Sequence, residues 1–422
     1  MPRYRIIFRI VAALLLFALG VWNLLLSISA VDRDQEKDLA VIQTKVRQYP
    51  WRAESWYILG SIRAFDMRYS SPADARRCLE RALNLNPWNY KYWAALADFL
   101  TVAGEDAAAR RCMAASLELN QAFTDLYWRA ANFYVRRQDF ENAGRCFRQA
   151  LEGDPSLLRP VLATCWRAWP DRAAILREVI PSTTPMTLGA LQWCLEMKDP
   201  ALARLCWDRA IRSGEDFELQ SSFGYIDFLI REGSPEEAHR VWQEAIAKSG
   251  AAPPGEDPNR VFNGSFEQPI FSGGFGWRLR TSPHLAVFET PDQRFHEYRS
   301  LKLVFDGEEN WSGPILHQYV WLEERGVYRL GYALQSEGLS TDKGLYFEVR
   351  QAFPAGNPTA LARGPEHLAD SDWTLHSIPF TVSGNGTLLV FSLCRDSSRK
   401  IDSQIKGKAW LDDIRIEREA GP

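Results

Sequence analysis

No Cys-x-x-Cys pair occurs anywhere in these 422 residues, and the seven cysteines are an odd number. Neither fact fits a paired disulfide framework or a zinc knuckle. Histidine is scarce. His239, His284, His296, His317, His367 and His376 are scattered, and no two have the helical or alternating spacing of metal ligands. The motifs that frame common active sites are missing: there is no Gly-x-Ser-x-Gly elbow, no His-Glu-x-x-His, and no Gly-rich phosphate loop closed by Lys-Ser or Lys-Thr. The Gly273-Gly274-Phe275-Gly276 cluster lacks dinucleotide-binding spacing and reads as a loop. A non-catalytic protein is expected. A glycosidase carboxylate pair is the enzymatic alternative, with no motif to frame it. Charge of one sign is lacking too: the formal net charge is −3, so nothing global points to nucleic acid.

What is present is a repeat. Ala75, Ala109 and Ala143 stand 34 residues apart, as do Cys78, Cys112 and Cys146, and Ala82, Ser116 and Ala150. Small residues twice per unit at this period mark stacked helix pairs. Equivalent positions on neighbouring pairs lie about 10 Å apart, beyond the roughly 7 Å between Cα atoms that a disulfide allows. These cysteines, with Cys206, therefore read as small apolar packing residues. Asn86-Pro87 and Asp154-Pro155 stop second helices, while Gln121 replaces the closing Pro of the second unit. The first unit has extra residues around Met67 to Ser71, a longer inter-helix turn. Pro160, Pro170 and Pro181 are expected to break Ser156 to Thr184 into short helices. The pattern resumes at Ala203, Trp207 and Ala210, and again at Ala238, Trp242 and Ala245 after Gly233. Residues 53–250 resemble the tetratricopeptide-repeat family, through Trp56, Leu59-Gly60 and Pro87 in the first unit and Trp93, Ala109, Tyr134, Ala143 and Pro155 beyond it. The resemblance implies a scaffold binding a protein partner along a concave face. Arg63, Arg76, Arg77, Arg110, Arg111, Arg136 and Arg137 would then be solvated helix faces or an acidic-peptide groove.

Arg3, Arg5 and Arg9 precede an apolar run from Ile10 to Val31. Such a run spans a bilayer as one helix, with its basic flank on the cytoplasmic side. A cleaved signal peptide ending at Ile28-Ser29-Ala30 is the alternative, and a buried soluble helix is a third reading beside these two leading ones. Either leading reading exports the remainder, so a bacterial inner-membrane protein with its bulk in the periplasm is expected. Leu39, Ile42 and Val46 continue at helical spacing.

Ser249 to Arg260 is rich in Gly, Pro and Ala and marks a boundary. Beyond it come short alternating runs: 300–306, 315–322, 327–335, 344–352, 374–382, 388–394 and 408–417. They suit an antiparallel sandwich. Asn263-Gly264-Ser265-Phe266-Glu267, Gly276-Trp277, Ser300-Leu301-Lys302-Leu303, Gln318-Tyr319-Val320, Gly326-Val327-Tyr328 and Trp410-Leu411-Asp412-Asp413 follow in order. On these residues, 259–418 resembles the jelly-roll carbohydrate-binding modules of xylanases and cellulases. The resemblance implies sugar stacking on aromatics, with Trp311, Tyr319, Trp321, Tyr346 and Trp373 as candidates and Trp277 in the core. It also implies a structural Ca²⁺ held by Glu267 and Asp413, with Asp412 a lesser candidate, or a hydrogen-bonded strand-pairing motif in its place.

The expected fold is thus multidomain, α plus β. It comprises a transmembrane signal anchor (1–31), an α-solenoid (32–250), a linker (251–258) and a jelly-roll β-sandwich (259–422). The expected function is a membrane-anchored extracytoplasmic scaffold. Its repeats would hold protein partners and its sandwich an envelope polysaccharide or a protein, in polysaccharide export or surface assembly. The alternative is a carbohydrate-binding protein whose repeats are only a spacer.

Overall fold

The computed structural model describes residues 39–251, 259–352, 359–400 and 403–419. The apolar run 10–31 and the linker core 252–258 lie outside the described residues. Among the described residues no helix is long and apolar enough to cross a membrane. The chain divides into two compact units. One holds the described residues up to Leu157 with Thr164–Pro170; the other holds Leu158–Ala163 and the described residues from Asp171 onward.

The first unit is a run of helix hairpins. After α1 (Leu39–Gln48) come α2 (Ala53–Phe65) with α3 (Pro72–Leu85), α4 (Tyr90–Val102) with α5 (Asp106–Leu119), and α6 (Thr124–Val135) with α7 (Phe140–Gly153). The small-residue register is a packing register: Ala75, Ala109 and Ala143 are fully buried. At Gly60, a Cβ would come within 2.8 Å of Leu79 Cγ, so only glycine lets α2 lie this close to α3. Asn86, Asn120 and Asp154 end the second helices, with or without a following Pro. The longer turn of the first hairpin lies at 66–71. Trp56 Nε1 donates to the Pro50 carbonyl at 2.9 Å, and Trp93 Nε1 repeats that bond to Pro87 at 2.8 Å. The arginines repeat as well. Arg76 pairs with Glu105 and Arg110 with Asp139, each at 2.7 Å, linking one hairpin to the next. Arg137 pairs with Asp106 and lies 3.6 Å over the Phe133 ring, while Arg77 pairs with Asp74. Arg76, Arg110 and Arg137 thus tie one hairpin to the next, while Arg77, paired within α3, stays on a solvated helix face.

All seven cysteines are buried free thiols. Burial pushes the Cys146 and Cys394 thiols up to about 12. Pro160 does not break its segment: it sits in the first turn of α8 (Leu158–Ala168), where its missing N–H has no intrahelical partner to lose. Pro170 and Pro181 do fall between helices.

In the second unit, α9 (Arg172–Ala174) runs into a π-helical turn, Ile175–Val179. The hairpins α10 (Thr184–Glu196) with α11 (Pro200–Arg212) and α12 (Phe223–Arg231) with α13 (Pro235–Ser249) follow. The strands come next: β1 (Arg278–Leu279), β2 (Leu285–Thr290), β3 (Ser300–Asp306), β4 (Gly313–Leu322), β5 (Gly326–Ser340), β6 (Leu345–Gln351), β7 (Thr359–Arg363), β8 (Ser371–Val382), β9 (Thr387–Arg395) and β10 (Lys406–Arg418). They form two five-stranded antiparallel sheets, ordered β1-β4-β9-β6-β7 and β2-β3-β10-β5-β8. Leu316, Phe347, Phe391 and Trp277 meet Leu303, Leu330, Tyr332 and Leu411 in one core between the sheets. This is an antiparallel jelly-roll sandwich.

Buried polar groups hold its loops. Arg395 is fully buried, and its guanidinium donates to the carbonyls of Lys343, Trp311 and Ser403, to Asn310 Oδ1 and to Thr341 Oγ1. The Gln318 side chain accepts from Phe262 N at 3.0 Å and donates to Phe262 O at 2.9 Å, standing in for a strand partner.

The sandwich is seated on the last helix hairpin through aromatic rings. Trp242 of α13 meets Phe262 at 5.1 Å and Phe275 at 6.2 Å, and Phe223 of α12 lies 6.2 Å from Trp242. The loop carrying Phe275 reaches them only because Gly273 and Gly274 lack side chains. A Cβ at Gly273 would overlap the Phe223 ring, and one at Gly274, whose φ is +56°, would come within 2.8 Å of Trp242. Arg278 of β1 adds an ion pair to Asp227 of α12. Gly273→Val should destabilise this unit by about 1–3 kcal/mol through overpacking. Urea denaturation followed by circular dichroism checks this, and an unchanged midpoint contradicts it.

Candidate functional site

In β6 the inward residues are Leu345, Phe347 and Val349, so Tyr346, Glu348 and Arg350 face outward. Register extends this outward face across the whole sheet. Arg278 pairs with His317, His317 with Ser392, Ser392 with Glu348, and Glu348 with Arg363. Directly paired residues share a face, so one transverse row runs Arg278, His317, Ser392, Glu348, Arg363 over five strands. Tyr319 and Trp321 flank it on β4. The row carries both donors and acceptors, and its charged members are already paired: Arg278 with Asp227. Glu348 pairs with Arg350 at 2.8 Å, and Arg363 with Asp396 at 2.9 Å. Burial, and then the Arg278 charge, hold His317 below its ordinary value, favouring a neutral ring. Such a face can hold a hydroxyl-rich ligand by several directional bonds, with an aromatic ring to lie against.

The expected sugar-stacking residues divide. Tyr319, Trp321 and Tyr346 share this face. Tyr319 is half-buried, with the Arg278 guanidinium 5.4 Å over its ring. Tyr346 is buried: its hydroxyl donates to Asp396 at 2.7 Å, and Arg363 covers its ring at 3.6 Å, so that ring face is taken. Burial and then Asp396 push its phenol up. Trp311 is 1% exposed and part of the core. Trp373 lies on β8 of the other sheet, 5.9 Å from Phe295. Trp277 is in the core, stacked at 5.4 Å on Phe266. Sequence reasoning missed Arg278, His317, Glu348, Arg363 and Ser392. The alternation of β6 was a usable signal; the row itself needed the register.

The three carboxylates of the expected cation site do not converge. Glu267 Oε1 accepts from the backbone N–H groups of Tyr298 and Arg299 at 2.7 and 2.8 Å. Asp412 Oδ2 accepts from Phe295 and His296, each at 2.8 Å, and its Oδ1 from Asp413 N at 2.7 Å. Asp413 takes the Arg415 guanidinium at 2.5 Å. N–H groups aimed at these oxygens suit anions held by the backbone and repel a cation, so this donor set does not fit Ca²⁺. Among the described residues no group of three or more His, Cys, Asp or Glu could hold a metal ion. Glu267 and Asp412 clamp the 295–299 loop instead. Burial pushes the Asp412 carboxyl up, against the pull of three backbone N–H groups.

No family profile matches the chain, and no curated protein is similar to it. Among solved structures, the xylan-binding CBM22-1 domain of Paenibacillus barcinonensis Xyn10C is similar at 18% identity, over 37% of this chain and 93% of that one, with a TM-score of 0.28. MamA is similar at 13% identity, over 50% of this chain and 86% of that one, with a TM-score of 0.26. Pseudomonas aeruginosa pilF is similar at 13% identity, over 49% of this chain and 95% of that one, with a TM-score of 0.27. Likenesses of this size carry no function across. The hairpin repeat and the two-sheet topology of the chain itself establish its architecture.

One further cluster sets a pH dependence. His367 and His376 rings stand 4.2 Å apart, His376 lies 5.0 Å from Tyr332, and His376 Nε2 is buried with no hydrogen-bond partner. Burial, and then the neighbouring His376, lower His367 from 6.5 to about 4; burial lowers His376. Because the unfolded chain binds these protons more readily, stability is full above about pH 6.5 and falls as pH drops toward 4. Denaturation midpoints measured from pH 7.5 to 4.5 should decline across that window. His376→Phe should lessen the decline, leaving the part that burial of His367, His239 and His317 contributes, and an equally steep decline in that variant contradicts the assignment.

Proposed function

We propose that this chain is a scaffold of the bacterial cell envelope that binds a polysaccharide through its sandwich and protein partners through its helix hairpins. The observation that carries the glycan half is the outward row from Arg278 to Arg363 beside Tyr319 and Trp321. It is a broad polar face carrying both donors and acceptors, suited to sugar hydroxyls. The protein-binding half is supported by the stacked hairpins α2 to α7, whose ion pairs hold one repeat to the next. Membrane anchoring through residues 10–31, with the amino terminus in the cytoplasm, is supported by the apolar run after Arg3, Arg5 and Arg9. The reading is of a binding protein rather than an enzyme, placed in polysaccharide export or surface assembly.

Two measurements test this reading. The full chain run through native gels cast with neutral, amino or acidic polysaccharide should be retarded by at least one; no retardation contradicts the glycan half. A periplasm-dependent phosphatase fused to the carboxy terminus should be active in cells. An inactive, membrane-bound fusion contradicts the assigned side.

A further inference from the structure

The face of β4 does not end at open solvent. Where Trp321 closes the strand, a cleft of about 900 Å³ opens between the start of α13 and the Asn385-Gly386 turn that leads into β9. This volume is at the upper end for small-ligand sites. Its walls come from both kinds of secondary structure: His239 and Gln243 from the helix, Trp321, Glu323, Asn385 and Gly386 from the sandwich.

Each group has a chemical consequence. Gly386, with φ of +64°, brings only backbone against the edge of the Trp321 indole, where a Cβ would sit 3.3 Å from the ring. His239 lies 6.4 Å from that indole with the rings nearly parallel, and its Nδ1 is buried with no hydrogen-bond partner. Burial lowers His239 below its ordinary value, so the ring is held neutral near pH 7. Gln243 reaches His239 Nε2 at 3.0 Å. Asn385 accepts from Arg325 N through its Oδ1, which leaves its amide N–H groups for a ligand. The Arg240 cation at the rim is already paired with Glu237. Glu323 on the wall carries a carboxylate, so the cleft does not favour an anion. Among the described residues, Trp321 is the one large apolar ring on the walls. There is no apolar pocket to seat the anchor side chain of a peptide.

We infer that this cleft is a saccharide subsite built jointly by the last helix hairpin and the sandwich. It takes a neutral or amino-bearing sugar unit that lies against Trp321, with its hydroxyl or amino groups on Glu323, Gln243 and Asn385. The inference rests on the glycan reading of the sandwich and adds α13 to the recognition surface, so the repeats contribute directly to ligand choice.

The test uses the full chain in gels cast with xylan, chitosan or alginate, comparing wild type with Trp321→Ala and with Gln243→Trp, which fills the cleft from an exposed helical position. Xylan or chitosan should retard the wild type, and each variant should weaken that retardation about tenfold. Circular dichroism confirms that both variants fold. Retardation of both variants equal to wild type overturns the subsite and leaves the glycan reading standing. Retardation by alginate alone, or binding of polylysine in place of any sugar, overturns the subsite as well. No retardation of the wild type by any polymer overturns both.

Discussion

Two missing side chains hold the second unit together. Gly273 and Gly274 let a sandwich loop come down onto Phe223 and Trp242, where any larger residue would collide. The aromatic contacts that result, Trp242 with Phe262 and Phe275, bury rings from a helix hairpin and a β loop against each other. The Asp227–Arg278 pair sits beside them and fixes the first residue of the outward row. Orientation of the sheet that carries this row therefore depends on helices that lie earlier in the chain. A cleft with one wall from each is a direct outcome.

The sandwich solves a second problem with buried polar groups. Its loops need partners for backbone groups removed from water, and unpaired ones would cost about 1–3 kcal/mol each. Arg395 answers several at once, because its five donors match the carbonyls and side-chain oxygens around it. Asp412 and Glu267 do the converse for the N–H groups of the 295–299 loop. Carboxylates read from the chain as cation ligands turn out to be anions for the backbone. The chemistry of an acidic residue is set by what faces it.

The central strands were legible in the sequence because burial on the inner face imposes strict alternation; β3 and β5 show it plainly. Of the edge strands, β8 was read over 374–382 but β1, β2 and β7 were not, since an edge half open to solvent tolerates Phe288 outward and Ala in either place. The helix period was legible because Ala and Gly at touching positions are nearly irreplaceable. The ion pairs of Arg76, Arg110 and Arg137 were not legible, because a cation in sequence says nothing about a carboxylate supplied by the neighbouring repeat. Trp311, just before β4, and Tyr346, on β6, show the same limit: an aromatic looks alike in sequence whether it faces the core, an arginine or solvent. Only register separates these cases, and it brought Arg278, His317, Ser392, Glu348 and Arg363 together from distant segments.

The account stands on α13 and the sandwich behaving as one cooperative body. Native-state hydrogen exchange on the full chain reads this directly, since amides that open together share one free energy. The predicted result is that Val241 to Ile246 in α13 exchange with the same opening free energy as the core residues of β4 and β9. Opening of α13 at a separate, lower free energy, while β4 and β9 stay protected, would contradict it.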